Sequence, residues 1–167
     1  MSFDLIVKGG ALPDGTRADI GVRGETIAAI APKLEAAAGQ VIDGTDCLVS
    51  APFVDPHFHM DATLSYGIPR INRSGTLLEG IALWGELKPL LTHDAVKQRA
   101  LAYCDWAVSM GLLAIRTHVD TCDDRLLAVE ALLEVKKTVA PYLDLQLVAF
   151  PQDGFYRDPK ARANTIR

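Results

Sequence analysis

The sequence predicts an α/β chain in two parts: short strands up to about residue 51, then three β/α units of a parallel sheet. Two observations carry this. Turn-forming residues recur at close intervals through the first fifty positions, and from about residue 48 the rhythm changes to strand followed by helix. Length sets a bound on it, because 167 residues fall short of the roughly 250 that a closed eight-fold β/α barrel needs.

Taken in order, residues 3–7 read as a first strand and residues 18–22 and 26–30 as a hairpin about Arg23-Gly24-Glu25. Residues 40–43 read as a further strand, and Gly9-Gly10, Pro13-Asp14-Gly15 and Asp43-Gly44 supply turns. The expected pairing is antiparallel. Four or five such strands cannot cover both their faces, so they call for partners from elsewhere in a chain. Residues 47–55 form an apolar strand that runs into Pro56-His57-Phe58-His59.

Ala95, Val96, Ala100, Tyr103, Ala107 and Val108 then fall at helical spacing, with Thr92 as N-cap, Asp94 in the first turn and Gly111 as the stop. Residues 112–117 form the second strand. A helix starts at Asp124 with Leu126, Val129 and Leu133 on one face, Lys136 and Lys137 where the helix dipole favours cations, and Pro141 beyond. Residues 143–150 are the third strand, and 159–167 open another helix. A three-stranded parallel sheet needs cover on both faces, so the chain reads as truncated, the first piece of a longer protein.

Composition narrows the function. Lys+Arg 17 against Asp+Glu 21 gives a net charge of −4 and a pI near 5.5, which argues against a nucleic-acid surface. Hydrophobic residues at 49% suffice for a core, and Gly 13 and Pro 9 exclude disordered and fibrous classes. No apolar run approaches the roughly 20 residues that span a bilayer, and the opening Met-Ser-Phe-Asp lacks a leader's basic region, so a cytoplasmic protein without a membrane partner is expected. Cys47, Cys104 and Cys122 are too widely spaced for a disulfide framework or a C-x-x-C metal pattern and read as small apolar fillers.

The chemistry gathers at the strand ends. Side chains at i and i+2 of a strand share a face, so His57 and His59 can both reach one divalent ion, with Asp55 and Asp61 as nearby carboxylates. Isolated, an H-x-H pair is as easily chance; its place at a strand's C-terminal end favours metal. By the same parity Arg116, His118 and Asp120 share a face, as a hydrogen-bonded cluster or with His118 supporting a site from behind. Phe150-Pro151-Gln152-Asp153-Gly154 puts an amide, both donor and acceptor, at the same rim. His93 reads as a solvated residue, and Gly9-Gly10 lacks the spacing of a phosphate loop.

Val54-Asp55-Pro56-His57-Phe58-His59-Met60-Asp61 resembles the start of the amidohydrolase superfamily, whose members carry H-x-H after the first barrel strand. Residues 74–81, 91–100, 116–120 and 148–154, in the same order, resemble the bacterial cytosine deaminases of that superfamily, over a stretch from about residue 50 to the end. The isopropylammelide-type amidohydrolases share H-x-H, Thr-His-Val-Asp and Phe-x-Gln-x-Gly and stay open as the alternative. So does an inactive fragment or pseudoenzyme.

The resemblance implies the first part of a distorted TIM-type (β/α)8 barrel, residues 52–167, preceded by part of a small β-sandwich, residues 1–51. It implies that His57 and His59 are metal ligands for Fe2+ or Zn2+, that Gln152 hydrogen-bonds the amide edge of a pyrimidine or related nitrogen heterocycle, and that Leu77 offers the base a main-chain contact. His118, Asp120 and Asp61 would stand behind these groups. The superfamily's further ligands, a histidine after the fifth strand and an aspartate after the eighth, have no positions here, nor do its glutamate and histidine proton carriers. The implied activity is hydrolytic deamination of cytosine or a related cyclic amidine, with this chain inactive alone. The partner is a small molecule, and the sequence leaves room for a homo-oligomer.

Overall fold

A computed structural model of the protein describes residues 2–157 and 159–167; Met1, in the opening judged free of a leader signal, lies outside the described residues. The chain forms two compact units, Met1–Ala51 and Pro52–Arg167.

The first unit is a four-stranded sheet in the order β3-β2-β1-β4, built from β1 (Phe3–Ala11), β2 (Arg17–Arg23), β3 (Thr26–Ala31) and β4 (Ala38–Asp43). The hairpin about Gly24 forms as expected, with β1–β2 and β2–β3 antiparallel. The all-antiparallel expectation fails at β4, which crosses to the far edge and runs parallel to β1, pairing Phe3 with Ala38 and Val7 with Ile42. Gly9-Gly10 is not a free turn but an irregularity within β1, where the register on β2 shifts between Val7 and Gly10. Gly9 sits at φ +68°, a conformation costly for other residues, and its N–H donates to the buried Asp19 at 2.8 Å.

The apolar run 47–55 is divided by the unit boundary. Cys47 and Val49 exchange main-chain hydrogen bonds with Ala11 in the first unit, and Leu48 bridges Ala11. The strand proper, β5 (Phe53–Phe58), starts only after Pro52, which has no N–H for a ladder. β5, β6 (Leu112–Asp120) and β7 (Asp144–Phe150) form a parallel sheet in that order.

Helix α1 (Leu77–Leu87), followed by a 3₁₀ turn Lys88–Leu90, was not expected from apolar spacing. Its signal is the Thr76-x-x-Glu79 spacing of a capping box: the Thr76 hydroxyl accepts from the Glu79 N–H, while the Glu79 carboxylate accepts from the N–H and hydroxyl of Ser74, two residues before the cap. α2 (His93–Ser109) begins at the expected Thr92 cap and buries Val96, Ala100, Cys104 and Ala107. Gly111, at φ +82°, ends it.

α3 (Leu127–Val139) starts three residues later than expected, and the face it buries is Ala128, Ala131, Leu132, Val135 and Val139. The sequence carries two apolar stripes, and the larger-looking one, Leu126, Val129 and Leu133, is the less buried: Leu133 is 46% exposed. A short helix, α4 (Pro159–Ile166), follows. The core of this unit sits between α2, α3 and the sheet face that carries Ile115, Val119 and Leu145. Of the three cysteines only Cys104 is buried filler; Cys47 is exposed, and the Cys122 sulfur accepts from the Asp153 N–H at 3.4 Å.

Candidate metal and substrate site

The polar residues singled out in the second unit lie at the C-terminal ends of β5, β6 and β7, the edge where β/α sheets place their sites. Alternation on β6 explains how: Ile115, Thr117 and Val119 face the helices, leaving Arg116 and His118 for the opposite face. His57 is the penultimate residue of β5 and His59 follows the strand, capping the 3₁₀ turn Met60–Ala62. Their rings lie 5.4 Å apart between centroids, and His118 stacks on His57 at 4.0 Å and 19°. Phe150 closes the group edge-on, 5.2 Å from His59 and 5.7 Å from His118.

Burial, then the neighbouring imidazoles of His57 and His118, hold His59 below the usual histidine range. Burial, then His57, does the same to His118, with the Phe58 main chain opposing. Neutral imidazole is the form that ligates metal. His118 Nδ1 is, among the described residues, the one buried side-chain nitrogen or oxygen without a hydrogen-bond partner. An orphaned ring nitrogen beside two further imidazoles fits a divalent ion of intermediate softness. The chain offers part of such a site, because among the described residues no three His, Cys, Asp or Glu side chains gather in metal-holding geometry.

The carboxylates serve the main chain. Asp55 accepts from the His57 N–H at 3.0 Å, and Asp61, buried, accepts from the N–H groups of Asp120 at 2.9 Å and Ala62 at 3.0 Å. Burial, with Asp120 nearby, pushes Asp61 up to about 6. Asp120 is equally buried, but its Oδ2 receives the Trp84 indole N–H at 2.6 Å and Lys88 Nζ at 2.8 Å. Those donors outweigh burial and hold Asp120 below the usual carboxylate range. Arg99 of α2 donates to the Thr63 carbonyl at 3.0 Å and fixes the turn after His59 from outside. Arg116 leaves the cluster that parity suggested, donating instead to Gln146 at 2.7 Å. His93, at the start of α2, is two-thirds buried and lies 3.4 Å from Glu134.

A cavity of about 340 Å³ opens beside the histidines and brings His59, Asp61, Leu77, Trp84, Phe150 and Gln152 together. Leu77 is the first residue of α1, where main-chain N–H groups have no partner within the helix. Gln152 lies in the turn after β7, its own N–H donated to Asp120 Oδ1 at 3.3 Å. Trp84, Lys88 and Arg99 are what sequence reasoning missed; the capping box that starts α1 would have put Trp84 on a helix but not in this cavity.

The profile of the Amidohydrolase family matches residues 40–162. The chain is 33% identical over 166 residues to an N-isopropylammelide isopropyl amidohydrolase of Pseudomonas sp. (strain ADP), across 93% of this chain and 40% of that protein. Its fold is similar to that of a 5-methylcytosine deaminase from Klebsiella pneumoniae, solved with 5-fluorocytosine, at 38% identity and TM-score 0.87 over 95% of this chain and 39% of that one. An N-isopropylammelide isopropylaminohydrolase from Burkholderia multivorans gives 25% identity and TM-score 0.75 over 96% of this chain and 40% of its own. The chain thus spans about 40% of the length of these relatives.

Proposed function

The chain belongs to the amidohydrolase family, and from that premise we propose that it forms the first β/α units of a metal-dependent barrel that deaminates cytosine or a related cyclic amidine. The observation that supports this most is the cavity itself, in which His59, Leu77 and Gln152, drawn from three separate elements, line one space. We assign catalysis to a polypeptide that extends this chain toward the length of its relatives, with residues 1–51 as part of a β-sandwich.

His57 and His59 would hold Fe2+ or Zn2+ together with ligands from the extension, and the ion would supply a water acidified enough to react at neutral pH. Water adds at the ring carbon bearing the exocyclic amine, and ammonia leaves. Gln152 orients the ring, because an amide pairs with an N–H and C=O edge at once. The α1 N-terminus offers the Leu77 main chain to the base. His118 backs His57 by stacking, and Asp61 and Asp120 fix the strand ends on which these groups stand.

The second reading, hydrolysis of an alkylamine from a triazine, is favoured by the 33% identity to the isopropylammelide enzyme. Turnover of cytosine and N-isopropylammelide by the extended polypeptide, with ammonia distinguished from isopropylamine, separates the two. Release of ammonia from cytosine is expected. In the same protein Gln152→Ala should lower kcat/KM by the equivalent of about 2–4 kcal/mol with metal content unchanged. Wild-type kcat/KM in that variant would remove Gln152 from the site.

A further inference from the structure

One wall of the cavity is a helix stripe. Leu77, Gly80, Ile81 and Trp84 follow one another at i, i+3, i+4 and i+7 along α1, and all four line the space that Gln152 closes from the other side. Gly80 leaves room in the middle, since a Cβ there would meet only Asn72 Nδ2, at 3.7 Å. Trp84 has no polar group left to offer, its N–H being held by Asp120 at 2.6 Å. What it presents is a flat apolar ring.

The same carboxylate reaches the opposite wall. Asp120 Oδ1 accepts the Gln152 N–H at 3.3 Å and the Cys122 N–H at 2.8 Å. Lys88, one helical turn beyond Trp84, donates to Asp120 at 2.8 Å and to Asp153, the neighbour of Gln152, at 3.0 Å. Lys88 is not among the residues that line the cavity. The α1 side and the β7 side are therefore tied by one buried carboxylate and one largely buried lysine, not by loop contacts alone.

We propose that Trp84 is the specificity-determining wall on which a planar nitrogen heterocycle lies, and that Asp120 and Lys88 are positioning residues that set the gap between it and Gln152. This rests on the heterocycle reading of the cavity. Aromatic rings stack on aromatic walls with little regard to ring substituents, so Trp84 selects for flatness and thickness while Gln152 selects for the hydrogen-bonding edge.

The test uses the extended polypeptide with cytosine or N-isopropylammelide, whichever the wild type turns over. Trp84→Ala should raise KM roughly tenfold or more, the usual scale of a lost base stack, without loss of metal. Trp84→Phe, which keeps a flat face, should recover most of it. Lys88→Met should raise KM a few-fold at near-wild-type kcat, and Lys88→Arg should restore it; a purely structural role would lower thermal stability without separating KM from kcat. Saturating substrate should change an emission component that the Trp84→Phe variant lacks. Wild-type KM in Trp84→Ala, or unchanged Trp84 emission at saturation, overturns this inference while the proposed function stands. A wild type that turns over and binds neither ring overturns both.

Discussion

The two units use buried carboxylates in opposite ways. In the first, Asp19 is consumed by the fold: its oxygens accept the N–H groups of Gly9 at 2.8 Å and Leu34 at 2.9 Å, closing the irregularity in β1. In the second, Asp61 and Asp120 lie together at strand ends beside three imidazoles, and His118 Nδ1 is left without a partner. A region whose polar groups are satisfied among themselves is built for stability. One that buries two carboxylates and an orphaned ring nitrogen at a cavity rim is arranged for something that arrives from outside.

Replacing one carboxylate in each unit should separate these roles. Asp120→Ala leaves Lys88, 15% exposed, without its buried counter-ion and frees the Trp84 N–H. Breaking a buried pair in this way costs about 3–5 kcal/mol, and urea unfolding of the second unit should show it. A loss under about 1 kcal/mol would mean that Asp120 does not hold the rim together.

Acidity sharpens the contrast. Asp61 has its carboxyl at about 6 in the fold against roughly 3.9 when unfolded. Its contribution is therefore fully present below about pH 4 and lost as pH rises through about 6, a span worth about 3 kcal/mol. Relative to Asp61→Asn, the metal-free wild type should lose stability across that window in urea titrations; parallel pH profiles would contradict the assignment. Asp19 has the reverse sign. The N–H groups of Leu34 and Gly9 hold its carboxyl below the usual value, so its contribution is present above about pH 4 and lost as pH falls below it.

The smallest of these effects is Asp19→Ala, which strands two main-chain donors and should cost about 1–3 kcal/mol with no effect on metal content. A change in metal binding from this substitution would break the division between a structural and a ligand-facing unit.

Local signals made much of this fold legible. Thr92 and Gly111 bracket α2, the hairpin about Gly24 forms where its turn residues stand, and β6 and β7 occupy their apolar runs. What failed depends on contacts distant in sequence. β4 pairs with β1 in parallel because the chain crosses the sheet, and the buried stripe of α3 is chosen by the sheet it covers, not by which apolar residues are largest. In the site, the spacing of His57 and His59 was readable from the strand period, and Gln152 and Leu77 came from resemblance. Trp84 and Lys88 were not readable, because their role arises from Asp120, more than thirty positions away.

On the proposed function, His57 and His59 form part of a metal site at this rim. Elemental analysis of the extended polypeptide after dialysis tests it most directly, in wild type and in the His57→Ala and His59→Ala variants. One Fe or Zn per wild-type chain is expected, and little in either variant. A stoichiometric ion retained in either variant would contradict the assignment.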